Sequence, residues 1–175
     1  GEFATDDALR ALEEQMGLNL PFYEQYGRWI WGVLHGNFGH ALSMDQPILP
    51  LLLFRLKNSA ILAAFSIVIV TIIAIPLGVF AALRRNSAVD RIIQVSSYIG
   101  ISVPEFATGS LLIIALAGPV LNLFPSAGYV PFSEDVPKAL SHIVLPVMTL
   151  VIVLIAHIMR QTRSEMIHVM QSDYV

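Results

Sequence analysis

Charge is missing from three long stretches of this chain. Residues 60–83 contain no Asp, Glu, Lys or Arg, residues 92–133 contain only Glu105, and residues 139–159 contain none. A helix crosses a hydrocarbon core of about 30 Å with about 20 apolar residues. The pattern therefore predicts three membrane-spanning helices, at 60–83, 92–117 and 141–160, followed by a stub at 161–175. Residues 1–58 are wetter and form a separate, partly helical segment ahead of a transmembrane domain at 59–175. Within that segment, 6–16 reads as a helix capped by Thr5 and ended by Gly17, and 21–34 reads as a second. The second is rich in rings: Phe22, Tyr23, Tyr26, Trp29 and Trp31. Such side chains favour the membrane–water boundary, so the preferred reading is a segment lying against the membrane surface. A small water-soluble core is the alternative. Residues 35–47 are a turn-rich connector.

Composition sharpens this picture. The chain is 55% hydrophobic and only 13% charged, against about 25% charged in soluble domains. Three uncharged helices in so short a chain leave little polar surface for water, so the expected class is an all-α polytopic membrane protein. The net charge of −3 and the lack of a basic tail give no footing for nucleic acid. With no cysteine, disulfides and Cys-ligated metals are excluded. The acidic, polar N-terminus is not a signal peptide.

Arginine placement predicts the orientation. Arg84, Arg85 and Arg91 fall between the first two spans, and Arg160 and Arg163 follow the third. The 118–138 loop holds only Lys138, beside Glu134 and Asp135. Lys and Arg near span ends mark the cytoplasmic side. The first loop and the tail are then cytoplasmic, and the 118–138 loop and residues 1–58 are external. Arg55 and Lys57 count against this and are outweighed by the two other ends. An external N-terminus without an export signal predicts a further span upstream.

Within the spans, Ala74, Gly78 and Ala82 put small residues on one helical face and predict close helix packing. Gln94, Ser97, Ser102, Glu105 and Thr108 form a polar stripe near helical spacing. On a straight helix Glu105 would lie about 21 Å deep, where a charge costs on the order of 3 kcal/mol or more unless paired or wetted. It is either a pathway-lining carboxylate or a hydrogen-bonded Glu joining two helices. Pro104 is expected to kink the helix and shift the stripe. His142, Thr149, His157 and Arg160 share a broad face of the third span. The two histidines would be about 22 Å apart along the helix and cannot share an ion, so no metal site is expected. The chain has no HExxH, GxSxG or GxxxxGK[ST] motif, and Ser110 lacks a base. No catalytic residue or cofactor is expected.

Several ordered motifs nonetheless carry a resemblance. They are "GLNLPFYEQYGRWIWGVLHGNFGHALSMDQPI", "IPLGVFAALRRNSAVDR", "GISVPEF", "HIVLPVMTL" and "RQTRSEMIHVMQSDYV". Together they resemble the inner-membrane permease subunits of ABC importers, in the oligopeptide, dipeptide and nickel branch. The resemblance covers nearly the whole chain in order and spacing. It implies a type I importer permease fold in the bacterial inner membrane. The implied partners are a homologous permease subunit, two cytoplasmic ATPase subunits and an external solute-binding protein. It also implies alternating access for a peptide-like or other small polar solute. Ser102, Glu105 and Thr108 would face the pathway. Arg163, Asp173 and Tyr174 would lie nearest the ATPase, where "DYV" leads towards a coupling loop. Trp29, Trp31 and the 118–141 loop would lie on the binding-protein side. Met159, Met166, Met170 and Tyr174 form a mostly apolar seam interrupted by Arg163, with an amphipathic tail on lipid as the alternative reading. Relatives in that family have more spans, so the chain is expected to be a fragment. The rival to the transport reading is a non-transporting membrane scaffold or assembly protein whose polar stripes are helix contacts.

Overall fold

The computed structural model describes residues 17–41 and 46–172. The expected 6–16 helix and the residues Asp173 and Tyr174 lie outside the described residues. The chain divides into two compact units, residues 1–58 and 59–175.

In the first unit, α1 (Phe22–Leu34) starts directly after Pro21, whose fixed φ of −56° suits a helix entry. The Gln25 amide holds that entry by donating to the Leu20 carbonyl at 2.7 Å. Gly36, in the left-handed region at φ +81°, lets the chain turn away after the last helical residues. No residue of α1 is buried, so its apolar side builds no core among the described residues. A two-residue antiparallel ladder follows, β1 (His40–Ala41) with β2 (Gln46–Pro47), pairing His40 with Pro47 and Ala41 with Gln46.

Helix α2 (Ile48–Leu83) runs for 36 residues and passes through Pro76 without a break. Along it the buried positions are small or short: Ser66, Val70, Ala74, Gly78, Ala81 and Ala82. The broad apolar side chains look outward, among them Ile67, Ile72 and Leu83, each more than 60% exposed. In water this distribution is inside out. In lipid it is expected, because lipid accepts wide apolar groups while close helix contact requires narrow ones.

Helix α3 (Ala88–Ser102) opens on Ser87, whose hydroxyl accepts from the Asp90 N–H at 3.2 Å. The stretch expected as one span at 92–117 is two helices. After α3, Val103 is extended (φ −91°, ψ 122°) and α4 (Glu105–Leu112) begins behind Pro104, bent 96° from α3. The kink expected at Pro104 is thus a full break. Proline lacks the N–H that would bond back into α3, and its ring drives the preceding residue out of the helical region. A π-helical turn at Ile113–Ala117 ends the segment at Gly118.

Helix α5 (Val136–Met170) is capped by Asp135, which accepts from the Lys138 N–H at 2.9 Å, and it continues through Pro146 for 35 residues. Helices α2 and α5 are each long and apolar enough to cross a membrane, and the bent pair would make a third span if it counts as one. The core of the unit joins Val70 and Ala74 of α2 to Val147, Val151 and Met159 of α5, with Ile93 of α3 alongside.

Three glycines let the other elements approach α5. A methyl group built on Gly78 would lie 2.8 Å from the Met159 carbonyl oxygen, and one on Gly100 2.9 Å from the Ala156 methyl. On Gly109 it would lie 3.3 Å from Thr149. Helix α5 is therefore the post against which α2, α3 and α4 lean.

Candidate functional site

Two groups of residues carry polar chemistry in this apolar unit, and the length of α3 separates them. The first surrounds the break. Ser102 ends α3 and Glu105 opens α4, and both are exposed. The Glu105 carboxylate has no ion-pair partner among the described residues. Thr108, one turn on, is half-buried. The 96° bend overturns the straight-helix depth expected for Glu105, since α4 does not continue the line of α3.

The hydroxyls near the break bond to their own helices. Ser102 donates to the Tyr98 carbonyl at 2.7 Å, and Ser110 to the Phe106 carbonyl at 2.8 Å. Each fills a backbone acceptor four residues back, which leaves the hydroxyl oxygen as an acceptor to its surroundings. Of the expected stripe, Ser97 is instead buried and donates to the Ile93 carbonyl at 2.9 Å. The structure thus keeps Ser102, Glu105 and Thr108 near one another and turns Ser97 inward.

Beside α4, a cavity of about 160 Å³ is lined by Gly109, the loop at Pro125–Gly128, His142, Pro146 and Thr149. His142 Nδ1 lies 2.8 Å from the Lys138 carbonyl oxygen. A carbonyl only accepts, so Nδ1 is the donor in this contact, and Nε2 lies on the Gly128 side.

The second group is at the arginine-rich end. Asp90, 1% exposed, lies in the first turn of α3. Arg163 of α5 grips it with two parallel bonds, Nε to Oδ1 at 2.5 Å and Nη2 to Oδ2 at 2.7 Å. The Asn86 N–H adds a third donor to Oδ2 at 2.9 Å. Asn86 reaches this position in the left-handed region, at φ +65°. Both partners lie outside the uncharged stretches, before 92 and after 159. The Arg163 guanidinium holds the Asp90 carboxyl below the ordinary carboxylate range; burial opposes this, and the Asn86 N–H and Gln94 assist. Asp90 in turn raises Arg163, again against burial. A bidentate, charge-assisted pair is the strongest polar contact available to these side chains.

Arg163, expected to lie nearest an ATPase, therefore points into the unit. Asp90 was not among the expected site residues. Its signal was present as the Ser-x-x-Asp capping pattern at 87–90 and as the lone acid among Arg84, Arg85 and Arg91. The structure gathers those arginines and Arg160 at one end through the Asp90–Arg163 pair and the Gly78–Thr162 contact. Trp29 and Trp31 of α1 are exposed.

Residues 74–175 match the family model of binding-protein-dependent transport system inner membrane components. Over its full 175 residues the chain is 34% identical to a Brucella abortus protein named for a peptide transport system permease, covering 55% of that protein. It is 33% identical over 165 residues to the oligopeptide transport system permease protein of Bacillus subtilis, covering 93% of the chain and 52% of the relative. It is also 33% identical over 172 residues to the dipeptide transport system permease protein of Lactococcus lactis, covering 98% and 54%. The chain thus spans about half the length of these relatives.

Proposed function

Because the chain belongs to the binding-protein-dependent transport system inner membrane component family, we propose that it is part of a permease subunit of an ATP-driven importer. It forms one wall of a membrane pathway for a peptide-like or other small polar solute. It works beside a homologous permease subunit, with two cytoplasmic ATPase subunits and an external solute-binding protein. The relatives' names support the solute class.

The observation that carries this reading is the break at Val103–Pro104. It interrupts a stretch that has a single charge and sets that charge, Glu105, exposed at a helix start. Non-helical backbone at membrane depth is tolerated where it lines a cavity or is covered by protein. The start of a helix is also electropositive, which stabilises a carboxylate there without a cationic partner. Ser102, Glu105 and Thr108 are the pathway residues of this reading. The arginine-rich end faces the cytoplasm, with Asp173 and Tyr174 leading towards the ATPases. Helix α1 lies at the external boundary, with Trp29 and Trp31 on the binding-protein side.

The test is thiol labelling. The sequence has no cysteine, so Glu105→Cys supplies a single thiol here. In the assembled transporter it is expected to react with a water-soluble reagent in at least one nucleotide state. Protection in every state removes Glu105 from the pathway. A reporter fused after Arg85 is expected to be active only in the cytoplasm, and periplasmic activity would reverse the orientation.

A further inference from the structure

The Asp90–Arg163 pair lies away from the break, yet the geometry connects them. Asp90 is at the start of α3 and Val103 follows its end, so α3 is a lever about 20 Å long between the pair and the break. At the far end of that lever α3 meets α5 through the Gly100–Ala156 contact, and α4 meets it through Gly109–Thr149. These two contacts are small, and they can act as a pivot. The ion pair at the other end is directional: two parallel bonds fix both the distance and the rotation of α3 against α5. The pair also anchors the turn before α3, through the Asn86 N–H.

We propose that Asp90 and Arg163 are positioning residues whose ion pair holds α3 at a fixed angle on α5 and so sets the bend at Val103–Pro104 and the presentation of Glu105. Removing either partner frees the long arm of the lever. Helix α3 then pivots about Gly100, and the start of α4 moves with it. The consequence for solute movement rests on the transport reading above. The mechanical claim does not.

The experiment uses the complete permease in lipid nanodiscs, in a cysteine-free background. One arm places spin labels at Ser96→Cys on α3 and Ser164→Cys on α5, both exposed positions, and measures their distance distribution. The other measures the labelling rate of Glu105→Cys. With Asp90→Asn or Arg163→Met, the distribution is expected to broaden and the labelling rate to change at least about tenfold, because a buried charge stripped of its partner no longer favours the native arrangement. Arg163→Lys keeps the charge but loses the fork, and is expected to fall between these variants and the wild type. It also serves if the stronger variants do not accumulate. Unchanged distance and labelling in folded Asp90→Asn protein, or in folded Arg163→Lys protein if Asp90→Asn does not accumulate, overturn the proposal. A purely structural role would lower the yield of folded protein without altering the labelling rate of what remains, and that result also overturns it. Altered labelling together with no solute uptake by the wild type would overturn the transport reading and support the positioning role.

Discussion

At Gly78 a methyl group has no room. It would sit 2.7 Å from Thr162 Cβ and 2.8 Å from the Met159 carbonyl oxygen, and the second of these is backbone that cannot rotate away. Alanine gains about 1 kcal/mol of helix propensity over glycine, but overpacking costs about 1–3 kcal/mol. Gly78→Ala is therefore expected to destabilise the protein, whereas Gly109→Ala, whose methyl would meet only the Thr149 side chain at 3.3 Å, is expected to be neutral or slightly stabilising. Thermal unfolding in detergent ranks the two, and equal effects would refute the close approach. Asp90 gives a pH signature. Its folded carboxyl titrates below the ordinary range because of Arg163, so its contribution is present above the unfolded value of about 3.9 and is lost as pH falls through the folded one. Thermal stability is expected to drop at acid pH in the wild type, and Asp90→Asn is expected to remove that part of the dependence. Ser66 is a smaller case. Its hydroxyl is buried without a hydrogen-bond partner among the described residues, so Ser66→Ala is expected to cost nothing measurable.

Among the elements, the bend between α3 and α4 belongs to Pro104. With Ala at that position an N–H returns and Val103 is released from the pre-proline restriction. Pro104→Ala is expected to open the 96° angle, which spin labels on the two helices would record as a longer separation; an unchanged separation would assign the bend to the contacts with α5 instead. The sequence announced this element well up to a point. Absent charge located α2 and α5, and Ala74, Gly78 and Ala82 marked the packed face, which is buried as expected. Periodicity could not reveal the size of the break, because hydrophobic spacing counts residues along a helix and says nothing of its direction beyond a proline. Nor could it pair Asp90 with Arg163. They are separated by 73 positions, and proximity over that distance is a product of the fold.

The unit at 59–175 has a core of modest side chains and an outside of large ones. Lowering detergent below its micellar concentration is expected to precipitate the protein, and a folded, monodisperse sample in plain buffer would contradict the membrane reading. The outward-facing isoleucines and leucines of α2 also constrain how the molecule can be made. Released into the cytosol, such a chain would bury those groups in itself or in chaperones before any bilayer was reached. Its biogenesis must be co-translational, with each helix handed from ribosome to lipid as it emerges, and the narrow face of α2 waits in the bilayer until α5 arrives to close over Gly78.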